Sequence, residues 1–430
     1  MAGTALAFGV LAGAAHAQQA VQGEGSSLAT PTYNDEFSVF PDSSHYAFTA
    51  YSTSSGEGQT AVTNNVGTAP PTGNGVPAGE AVDFGESDSF VSSTFVTNWD
   101  SAATGLPEAG PFIQIPVLGV AVAIPFQDAH IATGPKLQLT DTDLCNIFSG
   151  AVTTWNGIPS AAAQHATGTF QVFYRADGSG TTFLTTQHLG AVCPANLGPD
   201  SVTFHATTSF ASLFPGYTVS GSDAYVPASF TTFNGEIGSG GVATALGGVA
   251  EGIAYLSPDY TDVNPNSSAP EHSLKAADVV NAQNGTAYPP TYQNTATGLA
   301  HPGAGATNGK PPKGKANAAN QLNWVPALPV VTAGYPIVGY TNWLIPQCFA
   351  NTAVGSGIIE FLSDHYAGDF NTQIHDNGFD PVTVPGFVKA IESDFLGDSS
   401  GYHLDIDDAK VCNTSGKPNT YPGRPDHSGS

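Results

Sequence analysis

The stretch Phe170-Gln171-Val172-Phe173-Tyr174-Arg175-Ala176-Asp177-Gly178-Ser179-Gly180-Thr181-Thr182-Phe183-Leu184-Thr185-Thr186-Gln187-His188-Leu189 reads as a strand, a turn and the start of a helix. Its turn, Arg175 to Thr182, is rich in backbone N–H and hydroxyl donors, and Arg175 is one of only two arginines in the chain. Ahead of Lys275, the other basic side chain apart from histidine is Lys136. A lone guanidinium beside helix-terminal N–H groups and short hydroxyls suits a small tetrahedral anion. The plainer alternative is a solvated turn with an ordinary Arg175–Asp177 pair.

Outward from this turn, strand and helix patterns alternate, which implies an α/β fold with a largely parallel sheet. Two long apolar runs, Phe112 to Pro125 and Pro336 to Ile345, read as buried strands. They divide the chain into thirds and suggest two lobes joined by two crossings. Leu139 to Gly150 reads as a capped helix, and Gly355–Tyr366 and Val384–Leu396 as surface helices with apolar faces. Lobe one is expected to combine 18–119 with 340–430, and lobe two to take 120–339. The stretch 294–324, rich in Gly, Ala, Asn and Pro and carrying three lysines, reads as an inserted loop.

The 430 residues carry 10 Lys+Arg against 35 Asp+Glu, a formal charge of −25. That argues against nucleic acid and anionic membranes as partners. A small anion is not excluded, because exposed charges beyond about 8 Å are screened and local dipoles decide. An apolar run at Ala5–Gly13 followed by Ala15-His16-Ala17 reads as a signal peptide over 1–17, short of a basic start and too short to span a membrane. Export makes two disulfides the default for Cys145, Cys193, Cys348 and Cys412. Sequential pairing, Cys145–Cys193 and Cys348–Cys412, is the simplest of three arrangements, and the absence of ligand spacing speaks against zinc.

Three further turns share the donor chemistry of the Arg175 run: Gly23 to Pro31, Ser52 to Gly58, and Val82-Asp83-Phe84-Gly85-Glu86-Ser87-Asp88. Two other motifs compete. Gly397-Asp398-Ser399-Ser400-Gly401 with His403 matches the pattern of a nucleophile elbow but follows a helix where an elbow needs a strand. Asp405-x-Asp407-Asp408 lacks the glycine and terminal glutamate of a calcium loop.

In their order along the chain, the four turns resemble the phosphate-binding proteins of the phosphate ABC transporter, the PstS family, and in particular its secreted DING branch. Gly23 to Tyr33, Thr53-Ser54-Ser55-Gly56, Val82 to Asp88, Leu144 to Asn156 and Arg175 to Thr181 carry the resemblance, with Gly252 to Leu256 and Gly378 to Val382 as further landmarks. It implies a two-lobed periplasmic-binding-protein fold of type II, and a cleft for inorganic phosphate or its analogue arsenate. The implied ligand shell is Ser27, Leu28, Ser54, Asp88, Arg175, Ser179, Gly180 and Thr181, with Asp177 holding Arg175. The resemblance also implies no cofactor or catalytic residue, a membrane permease as partner, a periplasmic or secreted location, and a monomer. Departures are Ser27 for the family's threonine, Leu28 for its phenylalanine, Glu57 for a glycine, and an added Glu24. The competing functions are a secreted phosphatase-like enzyme on phosphate esters and an adhesive surface protein on the same fold.

Overall fold

The computed structural model describes residues 18–67, 75–99, 107–162, 164–263, 273–384, 386–412 and 421–426. The expected signal peptide, 1–17, lies outside the described residues. Two sheets form two α/β lobes. The first has the strand order Asp380–Pro381, Phe112–Ala121, Val338–Pro346, Phe84–Ser87, Gln19–Gly25, Tyr46–Ser52. The second runs Phe233–Glu236, Gln171–Arg175, Gly252–Ala254, Pro125–Gln127, Lys275–Ala276.

The two long apolar runs are the chain's passages between the sheets. Every residue of Phe112–Ala121 and of Val338–Pro346 is buried. Where they leave the first sheet they bond to each other: Val122 N–H donates to Ile337 O at 2.9 Å and Tyr335 Oη to Val122 O at 2.7 Å. The expected largely parallel sheet is in fact mixed. Gln19–Gly25 runs parallel to both its neighbours, but Val338–Pro346 is antiparallel to Phe84–Ser87 and to Phe112–Ala121. A chain that leaves a lobe on one strand and returns beside it must return in the opposite direction. A register shift between Thr341 and Asn342 marks the returning strand, and Asn342 Nδ2 donates there to Ser87 O at 3.1 Å.

The local readings place the remaining elements within a few residues. Asp141–Phe148 is a helix whose capping box joins Thr140 and Asp143, and Gly150 follows at φ 74°, a left-handed position suited to glycine. The stretch 294–324 departs from the expected loop: it contains the end of the helix Tyr292–Ala300, the short helix Lys315–Ala318 and a 3-10 turn. Trp324 anchors it, buried against Phe387 and Phe395 with its indole N–H on Ala318 O. Both cysteine pairs form disulfides in sequential order, Cys145–Cys193 and Cys348–Cys412.

Several acids are buried in this framework. Burial raises the Asp83 carboxyl to about 7, against the pull of the Gln22 N–H and Arg424, and burial alone raises Asp380 to about 7. Both lie above the ordinary unfolded value of about 4. Between about pH 4 and 7 the native chain therefore holds protons that the unfolded chain has released, and stability falls as pH rises through that interval. Thermal unfolding should show a higher midpoint at pH 5 than at pH 7.5, with about 2 kcal/mol or more lost across the window. Asp83→Asn should flatten the slope, and a midpoint that rises toward neutral pH would contradict this account.

Candidate functional site

Four turns converge where the two sheets face each other, each at the C-terminal end of a parallel strand, the usual position of a ligand crevice in α/β sheets. In lobe one, Gln19–Gly25 runs into Ser26–Leu28 and the helix Thr30–Val39, Tyr46–Ser52 into Ser54 and the helix Ser55–Asn64, and Phe84–Ser87 into Asp88. In lobe two, Gln171–Arg175 runs into Asp177, Ser179 and the helix Gly180–Val192. The shell expected from the sequence is thus brought together, and its side chains are buried.

Ser54 and Ser179 act first as helix caps: Glu57 N–H donates to Ser54 Oγ and Thr182 N–H to Ser179 Oγ, each at 3.2 Å. The N–H groups of Gly180 and Thr181, in the first turn, have no acceptor within their own helix. Thr181 Oγ1 is buried without a partner, an unspent donor at this end. Leu28 N–H reaches Ser26 Oγ at 3.3 Å.

Arg175 is buried, and Asp177 holds it through both carboxylate oxygens, one receiving Nε at 2.6 Å and the other Nη2. The pair exists as the plainer reading required, but it is buried and sits inside the convergence. Asp88 faces it from lobe one. Ser26 Oγ donates to Asp88 Oδ1 at 2.6 Å and Ser55 Oγ to Oδ2 at 3.4 Å. Burial pushes the Asp88 carboxyl above its ordinary value, against the lowering effects of Ser26, Arg175 and Ser55. Glu86, two residues earlier, is pushed well above its ordinary value by burial, with Thr30 Oγ1 donating to it at 2.7 Å. An anion-attracting shell therefore contains a buried carboxyl whose two oxygens accept from Ser26 and Ser55.

The lobes touch on both sides of this shell. On one side Gly56 N–H donates to Gly178 O at 2.9 Å, and Gly180 packs against Asp88 and Ser55. On the other, Ser27 Oγ lies 3.1 Å from Ser239 Oγ, and Ser257 Oγ donates to Leu28 O at 3.2 Å. A chamber of about 570 Å³ adjoins that second side, lined in part by Ser27, Glu57, Asp177, Asp223, Ser239 and Tyr260. The sequence reading omitted Ser26, Ser55, Ser239 and Ser257. Ser26 and Ser55 neighbour residues it named. Gly238-Ser239-Gly240-Gly241 has the same donor-rich composition as the other turns and opens the helix Gly238–Gly247, so composition alone could have marked it.

The competing motifs lie elsewhere. The Gly397–Gly401 turn follows the helix Phe387–Asp394 directly, with no strand leading into it. His403 Nδ1 is 2.6 Å from Asp398 Oδ2 and 3.2 Å from Asp408 Oδ2, while Lys410 Nζ sits 3.0 Å from Nε2. Asp407 turns away from that group to accept Phe349 N–H at 2.8 Å.

The PBP superfamily domain matches residues 12–301. Alkaline phosphatase L of Pseudomonas aeruginosa is 32% identical over 405 residues, covering 93% of this chain and 94% of that protein. A phosphate-binding protein from an unknown prokaryotic organism is 31% identical over 373 residues, covering 78% and 85%. Among solved structures, a high-affinity periplasmic phosphate-binding protein, PfluDING, bound with phosphate, superimposes with a TM-score of 0.73 at 28% identity, covering 95% of this chain and all of that one.

Proposed function

From the premise that this chain belongs to the PBP superfamily, as a phosphate-binding protein of the PstS-like, DING-like type, we propose that it binds inorganic phosphate between its lobes. The observation that carries the reading is Asp88, a buried carboxyl set among helix N-termini and opposite Arg175. A carboxylate there opposes any anion that lacks a proton to share. Hydrogen phosphate brings one; sulfate at neutral pH does not, and would leave two acceptors in contact at a cost of about 1–3 kcal/mol. Ser27, Leu28, Ser54, Arg175, Ser179, Gly180 and Thr181 are the proposed donors, with Asp177 fixing the guanidinium.

The setting we propose is extracytoplasmic, with phosphate delivered to a membrane permease or scavenged. A structural relative is periplasmic by name, and no helix among the described residues is long and apolar enough to cross a membrane. Calorimetry with phosphate and sulfate tests the reading. Asp88→Asn should narrow the ratio of the two dissociation constants at fixed pH and salt, because the amide can turn an N–H toward an unprotonated oxygen. An unchanged ratio would reduce Asp88 to a structural cap.

A second reading, a phosphatase acting on phosphate esters, is favoured by the name of the Pseudomonas relative and by the short Ser26–Asp88 contact, which pairs a hydroxyl with an acceptor. Turnover of a chromogenic phosphate ester that is lost in Ser26→Ala and in Asp88→Asn would support it. Turnover that persists in both variants would place it outside this site.

A further inference from the structure

We propose that Ser239 is the closing residue of the anion site, a positioning group that seals the wall between the buried shell and the adjoining chamber. The inference rests on reading the shell as a phosphate site. Ser239 lies in the first turn of Gly238–Gly247 and has no exposed surface. Its N–H donates to Ser27 Oγ at 3.1 Å, and its hydroxyl lies 3.1 Å from the same oxygen. The hydroxyl also accepts from Arg175 Nη1 at 3.4 Å. Asp177 occupies Nε and Nη2 of that guanidinium, so Nη1 is the nitrogen left for Ser239 of the same lobe. One serine of lobe two thereby touches both the lobe-one loop and the arginine.

The position of this contact gives it a role. Ser27 and Ser239 line the chamber, whereas Leu28, Asp88, Arg175, Gly180 and Thr181 do not. The serine pair forms one stretch of the partition between them, beside Asp177 and reinforced by Ser257 on Leu28 O. Across the shell, the lobes are fastened by the backbone contact between Gly56 and Gly178, which no side chain supplies. An anion leaving along this stretch of the wall must part the serines first. Hydrogen bonds that must break for release act on dissociation far more than on association.

The test combines stopped-flow displacement of phosphate with amide exchange on the full chain. Ser239→Ala should raise the phosphate dissociation rate about tenfold, as expected for losing hydrogen bonds at one contact, and change the association rate less than about threefold. Ser27→Ala plus Ser239→Ala should raise the release rate by less than the product of the two single effects, because both remove one shared contact. Without phosphate, Ser27→Ala should speed exchange of the Ser239 amide about tenfold while leaving the Gly56 amide unchanged. Unaltered Ser239 exchange in Ser27→Ala, or an unaltered dissociation rate in Ser239→Ala, would overturn the proposal. If the unsubstituted chain failed to bind phosphate, the functional reading would fall, and the exchange measurement would still decide whether the serines join the lobes.

Discussion

Arg175→Ala is expected to weaken phosphate binding by about 3–5 kcal/mol, more than 100-fold in the dissociation constant. Two losses combine. The anion loses a charged donor held in a fixed fork, and Asp177 is left as a buried carboxylate without its cation, facing an anionic ligand. The second loss can be separated from the first. Arg175→Ala with Asp177→Asn should recover part of the affinity, since the amide removes the unpaired charge. Arg175→Lys should also recover only part, because an ammonium cannot meet Asp177 through two nitrogens and still point at the ligand. Calorimetry across the four proteins decides the matter. Equal losses in the single and double variants would mean that Asp177 contributes orientation and no electrostatic penalty.

Gly180→Ala should abolish tight binding while leaving the fold intact. A methyl at Gly180 would stand 2.5 Å from Asp88 Cβ and 2.6 Å from its Oδ2, and closer still to Ser55 Oγ. All three atoms belong to lobe one, so the clash lies between the lobes and is relieved by holding them apart. Within its own helix the substitution is favourable, since alanine in place of glycine stabilises a helix by up to about 1 kcal/mol and Gly180 has no left-handed backbone that would resist it. The unfolding midpoint should therefore stay level or rise. Phosphate affinity should fall at least 100-fold, the equivalent of about 3 kcal/mol. A variant that binds normally would show that the lobes need not approach this closely. A variant that unfolds would show that the contact is part of folding.

Much of the architecture was legible because it follows from local pattern. A long, mostly apolar strand is best buried on both faces, and Phe112–Ala121 and Val338–Pro346 are. The capped helix Asp141–Phe148 was readable from Thr140 and Gly150 for the same reason: caps and left-handed turns depend on neighbours in sequence. Strand direction was another matter. Nothing within Val338–Pro346 states that it runs against its neighbours; the need to return to the lobe that the chain had left imposes it. The stretch 294–324 lacks apolar periodicity, yet Trp324 between Phe387 and Phe395, and bridges from Pro302 to Val331 and Thr307 to Ala327, hold it.

The same division runs through the site. The sequence by itself determined the α/β class, the two long crossings, and a donor-rich turn around one rare arginine, because charge, hydroxyl content and helix starts are properties of contiguous residues. Only the tertiary structure decided what each group spends its hydrogen bonds on. Ser54 and Ser179 share their hydroxyls with helix caps, Ser26 serves Asp88, and Ser27 meets Ser239 across 212 positions of chain. A hydroxyl can donate or accept toward any partner within reach, and which partner comes within reach is fixed by how two lobes close, a relation that no local period encodes.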